Sequence, residues 1–176
     1  SANESIGRIL CITQDSLNGI WIGGDKGLFY VQGDRIKKVE LQSKAILAVE
    51  ALLTDAGGNV WVGDLNALFK ITGQLVQQVH KSNPAVIDIF PFASFTKRVY
   101  GIAEDSKQNT YVGTYDGVYR ITAGAGRYES VWTNPEPYQF VRSVTATSPD
   151  SIFWSCLDRH PTQMIHGKTT SAYTED

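Results

Sequence analysis

The stretch Asp15-Ser16-Leu17-Asn18-Gly19-Ile20-Trp21-Ile22-Gly23 decides how this chain is read, because its pattern returns three more times. Val60-Trp61-Val62-Gly63 and Thr110-Tyr111-Val112-Gly113 repeat its end closely, and Ile152-Phe153-Trp154-Ser155 is a worn fourth copy. The aromatic slots lie 40, 50 and 42 residues apart. Six residues before each aromatic stand Asp15, Asp55, Asp105 and, in the fourth copy, Thr147. Three residues earlier come Ile12, Leu52, Ile102 and Val144, and three earlier again Ile9, Val49, Val99 and Val141. Downstream, Gly27-Leu28-Phe29-Tyr30, Ala67-Leu68-Phe69-Lys70 and Gly117-Val118-Tyr119-Arg120 match. The fourth copy offers only Pro161-Thr162-Gln163-Met164 there, so its second half is expected to be diverged or truncated.

Short apolar runs rich in β-branched and aromatic residues, separated by Gly, Asn and Asp and recurring at this period, are the pattern of a β-propeller blade. The runs are too short and too often interrupted for a helical solenoid. The expectation is an all-β chain: four repeats of a four-stranded antiparallel blade, over about residues 6–44, 45–94, 95–137 and 138–176, forming a partial propeller or a small closed ring. In the first copy the strands are expected at Ile9 to Thr13, Ile20 to Gly23, Leu28 to Val31 and Ile36 to Leu41.

The repeated residues have structural tasks. Asp15, Asp55 and Asp105 each open a turn of the form Asp-x-x-x-Gly/Asn, where a carboxylate accepts backbone N–H groups and fixes the reversal. Gly23, Gly63 and Gly113 allow close backbone approach. Trp21, Trp61, Tyr111 and Phe153 are expected to pack between neighbouring blades.

The 176 residues suffice for a sizeable core and ordinarily form one domain. Net charge is −2, and the 16 Lys and Arg are scattered, so nucleic acid is excluded as a partner. No apolar run is long enough to cross a membrane. The chain opens without Met or a signal peptide and is taken as a mature or excised piece. Cys11 and Cys156 fall in the first and last repeats; a disulfide is conceivable if the ring closes, but two small buried thiols are the simpler reading.

Ile12-Thr13-Gln14-Asp15-Ser16, leading to Gly19-Ile20-Trp21-Ile22-Gly23 and Gly27-Leu28-Phe29, resembles the two-component regulator propeller repeat. Asp55-Ala56-Gly57-Gly58-Asn59-Val60-Trp61-Val62-Gly63 and Asp116-Gly117-Val118-Tyr119 carry the same likeness into the second and third copies. Such repeats build the extracytoplasmic sensors of bacterial hybrid two-component proteins, especially in Bacteroidetes that detect oligosaccharides. The resemblance implies a periplasmic sensor segment that binds an oligosaccharide or other small ligand, linked to a membrane and a histidine kinase only through further parts of a parent chain. Similar sensors carry many more blades. Four blades cut from a larger ring form an open arc whose apolar end faces seek partners, so self-association through blade edges is expected. A small closed ring is the alternative.

No catalytic motif of nucleophile-elbow, zinc-protease or phosphate-loop type is present. His80, His160 and His166 are isolated, and the repeated Asp residues sit a whole blade apart, so neither a metal nor a cofactor is expected. The Asp turn also resembles the Asp-box of sialidases, itself a structural element. The segment is therefore read as a binding module and not an enzyme. The alternatives are a stand-alone protein-binding scaffold or a propeller-type lyase, lactonase or glycosidase. Specificity should lie in residues outside the repeat. The candidates are Trp132, Asn134, Glu136 and Tyr138, which combine aromatic faces with polar groups, together with Asp158, Arg159 and His160. An insertion from Lys81 to Phe92 is expected to be extended and partly exposed.

Overall fold

The computed structural model describes residues 5–42, 46–82, 85–92, 95–134, 140–148, 151–156, 162–165 and 168–171. It is an all-β structure of small sheets that divides into two compact units, Ser1–Thr96 and Lys97–Asp176.

In the first unit, β1 (Ile9–Gln14), β2 (Ile20–Gly24), β3 (Gly27–Gln32) and β4 (Arg35–Leu41) form an antiparallel meander. The second copy departs from the four-strand expectation. Its sheet has only β5 (Val49–Thr54), β6 (Val60–Asp64) and β7 (Leu68–Ile71), after which the chain forms the helix α1 (Gly73–Lys81). Leu75, Val76 and Val79 share one helical face, and Val76 and Val79 are buried on it. The first sheet then anchors the helix end. Lys37 Nζ donates to the carbonyls of Val79, His80 and Ser82, groups that have no partner within the helix. The Tyr30 hydroxyl lies 2.9 Å from His80 Nδ1, and Gln32 Nε2 lies 3.0 Å from His80 Nε2.

Beyond α1, β8 (Ala85–Ile87) pairs in parallel with β4 and makes the first sheet five-stranded. The insertion is thus partly extended, as expected, but a helix precedes it, and among the described residues the edge of β7 is met by an isolated antiparallel bridge between Phe69 and Pro91. Phe90 is exposed, and Phe92 packs edge-on against Trp61 at 5.2 Å.

The second unit holds two four-stranded antiparallel sheets. One is β9 (Val99–Glu104), β10 (Thr110–Thr114), β11 (Gly117–Ile121) and β12 (Glu129–Thr133). The other is β13 (Val141–Ser148), β14 (Ser151–Cys156), β15 (Thr162–Ile165) and β16 (Lys168–Ser171). The fourth copy, diverged in sequence, keeps all four strands.

Within each unit the sheets pack face to face at the glycine slot. A Cβ on Gly23 would collide with Val49 Cγ1 of the next sheet, and one on Gly113 would stand 2.7 Å from Val141 Cγ1. Trp21, Leu28 and Tyr30 join Val49, Val60, Val62 and Phe69 in one core. Tyr111 and Val118 join Val141, Val144, Ile152 and Trp154 in the other. Phe153 has the same register as Trp21, opposite Thr145 as Trp21 is opposite Thr13, but it is only half-buried. The wholly packed aromatic of the fourth copy is the next residue, Trp154. Cys11 and Cys156 form no disulfide, and burial pushes the Cys11 thiol up to about 12.

Candidate functional site

The three Asp turns are internally saturated. Asp15 Oδ1 accepts the N–H groups of Leu17 and Gly19, both at 2.9 Å, and Oδ2 accepts the Trp21 indole N–H at 2.8 Å. Asp55 Oδ1 accepts the Asn59 N–H at 2.8 Å, and Oδ2 accepts the Trp61 indole at 3.0 Å. Asp105 accepts the N–H groups of Lys107 and Asn109 and the hydroxyl of Tyr111 at 3.0 Å. Burial pushes the Asp105 carboxyl up, but the Asn109, Lys107 and Tyr111 donors outweigh it and hold it below the usual carboxylate range. The same burial and the Asp105 hydrogen bond push the Tyr111 hydroxyl up to about 12. These carboxylates brace the aromatic six residues on, which leaves little capacity for a ligand. In the fourth copy Asp and the hydrogen-bonding aromatic are lost together, as Thr147 and Phe153.

A second feature recurs in all four sheets. On β1, Ile9 pairs with Gly24 and Cys11 with Gly23, so Leu10 is a β-bulge with no residue opposite. Glu50 is bulged in the same way on β5, Tyr100 on β9 and Arg142 on β13. A bulge re-aims its side chain away from the pleat. The residues flanking it keep the repeat, whereas the bulged residue is Leu, Glu, Tyr or Arg, and none of the four is buried.

In the second unit this position builds a defined cluster. β9 and β13 lie side by side. The Tyr100 and Phe140 rings stack with centroids 4.8 Å apart and planes at 19°. The Arg142 guanidinium lies over Phe140 at 4.6 Å and over Tyr100 at 5.4 Å, and that of Arg98 lies over Tyr100 at 5.0 Å. At the same strand end, where Val99 pairs with Thr114, stands the hairpin of Thr114, Tyr115 and Asp116. Lys97 Nζ is bound to Asp116 Oδ2 at 2.6 Å, which raises the lysine and, with the Thr114 hydroxyl, lowers the carboxyl against the upward push of burial. Tyr115 is 53 % exposed.

Of the residues singled out by sequence, Asn134 comes to this same end, its N–H donating to the Asp116 carbonyl at 2.9 Å. Trp132, on β12 opposite Val118, packs toward the core, with its ring 5.3 Å from Trp154. Glu136, Tyr138, Asp158, Arg159 and His160 lie outside the described residues. Arg98, Tyr100, Phe140 and Arg142 were not singled out by sequence. His80 closes α1 against Tyr30 and Gln32. A hollow of about 240 Å³ opens there between β4 and the helix end, but its Lys37 is committed to helix carbonyls. Among the described residues no three His, Cys, Asp or Glu side chains gather to hold a metal ion. No described helix is long and apolar enough to cross a membrane.

No protein-family model and no curated protein matches the chain. Solved structures do. Virginiamycin B lyase from Staphylococcus aureus superposes with a TM-score of 0.70 at 15% identity, over 97% of this chain and 56% of its own. The extracellular domain assigned to a hybrid two component system of B. thetaiotaomicron gives 0.58 at 18% identity, over 93% of this chain and 27% of its own. An auxiliary nutrient binding protein from Bacteroides thetaiotaomicron gives 0.66 at 9% identity, over 89% and 38%. The chain spans little more than half, or less, of these proteins' lengths. At these identities the likeness establishes the fold alone, an all-β structure with propeller-like neighbours.

Proposed function

We propose that this chain is a ligand-recognition segment of an extracytoplasmic, periplasmic sensor of two-component regulation, and that it binds an oligosaccharide without transforming it. The observation that carries the reading is the bulge set. One scaffold is repeated four times, and the bulged position of the first strand of each copy carries Leu10, Glu50, Tyr100 and Arg142, none of them buried. Chemically different side chains at one equivalent slot of a repeated frame are a means of ligand specificity. The likeness to the extracellular domain of a two component system and to nutrient binding proteins supports the same direction. Binding that favours one of two sensor arrangements would shift their populations and bias a kinase elsewhere in a parent chain.

The chain also self-associates in this reading. Ile9 is 47% exposed, whereas its counterparts Val49 and Val141 are fully buried against the glycine slots of Gly23 and Gly113. The first copy therefore presents a blade contact with no blade on it. Affinity chromatography of a soluble glycan library tests the function. Retention and elution of a discrete oligosaccharide class is expected; no retained glycan, with one specific protein captured instead, would favour a protein-binding scaffold and contradict the sensor reading.

A further inference from the structure

We infer that Arg142, held against the stacked Tyr100 and Phe140 rings, reads an oxyanion, and that the ligand is an acidic oligosaccharide bearing carboxylate or sulfate groups. The inference rests on the oligosaccharide reading above and narrows it. A guanidinium held against aromatic rings at a solvent-exposed position can still offer N–H groups to an oxyanion in bidentate fashion. The Arg142 guanidinium, on the bulge of β13, lies within 5.4 Å of both ring centroids of the stack, which restricts its freedom before any ligand binds.

Arg142 is exposed, and among the described residues no carboxylate is ion-paired with it. By contrast the nearby Lys97 is neutralised by Asp116, and Arg120 by Glu129, 2.6 Å from Nη2. Lys97 and Arg120 are thus paired with acids, whereas Arg142 is carried on aromatic rings at a bulge. The exposed Tyr115 at the same strand end offers an aromatic face to the C–H groups of a sugar.

The test is isothermal titration of the full 176-residue chain with three probes: oligogalacturonides, the same oligomers with their carboxylates reduced to alcohols, and a sulfated oligosaccharide of similar length. An Arg142→Ala variant and the charge-keeping Arg142→Lys variant are run beside it, with thermal melts to show that they fold. At least one acidic probe should bind about tenfold or more tightly than the reduced oligomer, with affinity falling as salt rises. Arg142→Ala should remove most of that preference, and Arg142→Lys should restore only part of it, because an ammonium lacks the fork. Which acidic probe wins tells carboxylate from sulfate. Equal binding of acidic and reduced oligomers, or acidic binding unchanged in both variants, would overturn the inference and leave the oligosaccharide reading standing. Polyglutamate is titrated as a control, and its equal binding would overturn the inference too, as a mere charge effect. No binding by any sugar, when the glycan library also yields none, would overturn both.

Discussion

Asp15, Asp55 and Asp105 each tie a tight turn to the aromatic six residues later, so turn and core are fixed by one carboxylate. Trp21→Phe would leave Asp15 Oδ2 without its buried donor and should cost about 1–3 kcal/mol of stability, read from denaturant midpoints. The fourth copy lacks both partners, so Thr147→Asp with Phe153→Trp should stabilise by about 1 kcal/mol more than the two single changes added together, in a double-mutant cycle. The same turns hold Asn18, Gly58 and Gln108 at φ 61°, 75° and 63°. Gly58 shows the residue that fits, so Gln108→Gly should raise stability by about 0.5–1 kcal/mol. The lowered Asp105 carboxyl adds a pH dependence. Its folded state binds the proton less readily than the unfolded chain, so its contribution is complete above the ordinary carboxylate range, near 4, and is lost as pH falls through the depressed folded value. Asp105→Asn should flatten the acid limb of a stability-against-pH curve.

Elements were legible where spacing alone determines them. The four strands of the first copy follow from apolar runs bounded by Gly and Asp, and they stand within a residue or so of their expected limits. α1 was not legible, because Leu75, Val76 and Val79 among glutamines satisfy a short strand and a helix alike, and the choice is made by tertiary contacts from Lys37, Tyr30 and Gln32. Lys37→Met keeps the stem and removes the donor to three carbonyls; it should cost about 1 kcal/mol and loosen α1 first, seen as faster amide exchange across Gln74 to Lys81. The bulges were hidden for a different reason. Every copy has one at the same place, so aligning copies with each other leaves the register undisturbed. The trace in the sequence is that Leu10, Glu50, Tyr100 and Arg142 differ in kind between a β-branched residue before and a small residue after in every copy. Arg98 and Phe140 share one slot of the repeat, which holds Arg8 and Ala48 in the first two copies, and the adjacency of β9 and β13 brings Phe140 and Arg142 to Tyr100.

For the whole molecule, the repeat and its all-β character were plain from sequence, whereas closure of the blades into a ring depends on end-face packing that no local pattern encodes. The exposed Ile9 and Ile12 argue for an unsatisfied blade face. Sedimentation at rising concentration should show a mass above one chain, and Ile9→Asp with Ile12→Asp should return it to that of one chain; a wild-type mass of one chain throughout would refute self-association. The central claim is recognition without chemistry. Its most direct test is equilibrium dialysis of an oligosaccharide retained from the glycan library against the chain, with chromatographic analysis of the sugar afterwards. The account predicts saturable binding with the ligand recovered intact. Progressive conversion of the ligand, catalytic in the chain and absent from a denatured control, would contradict it.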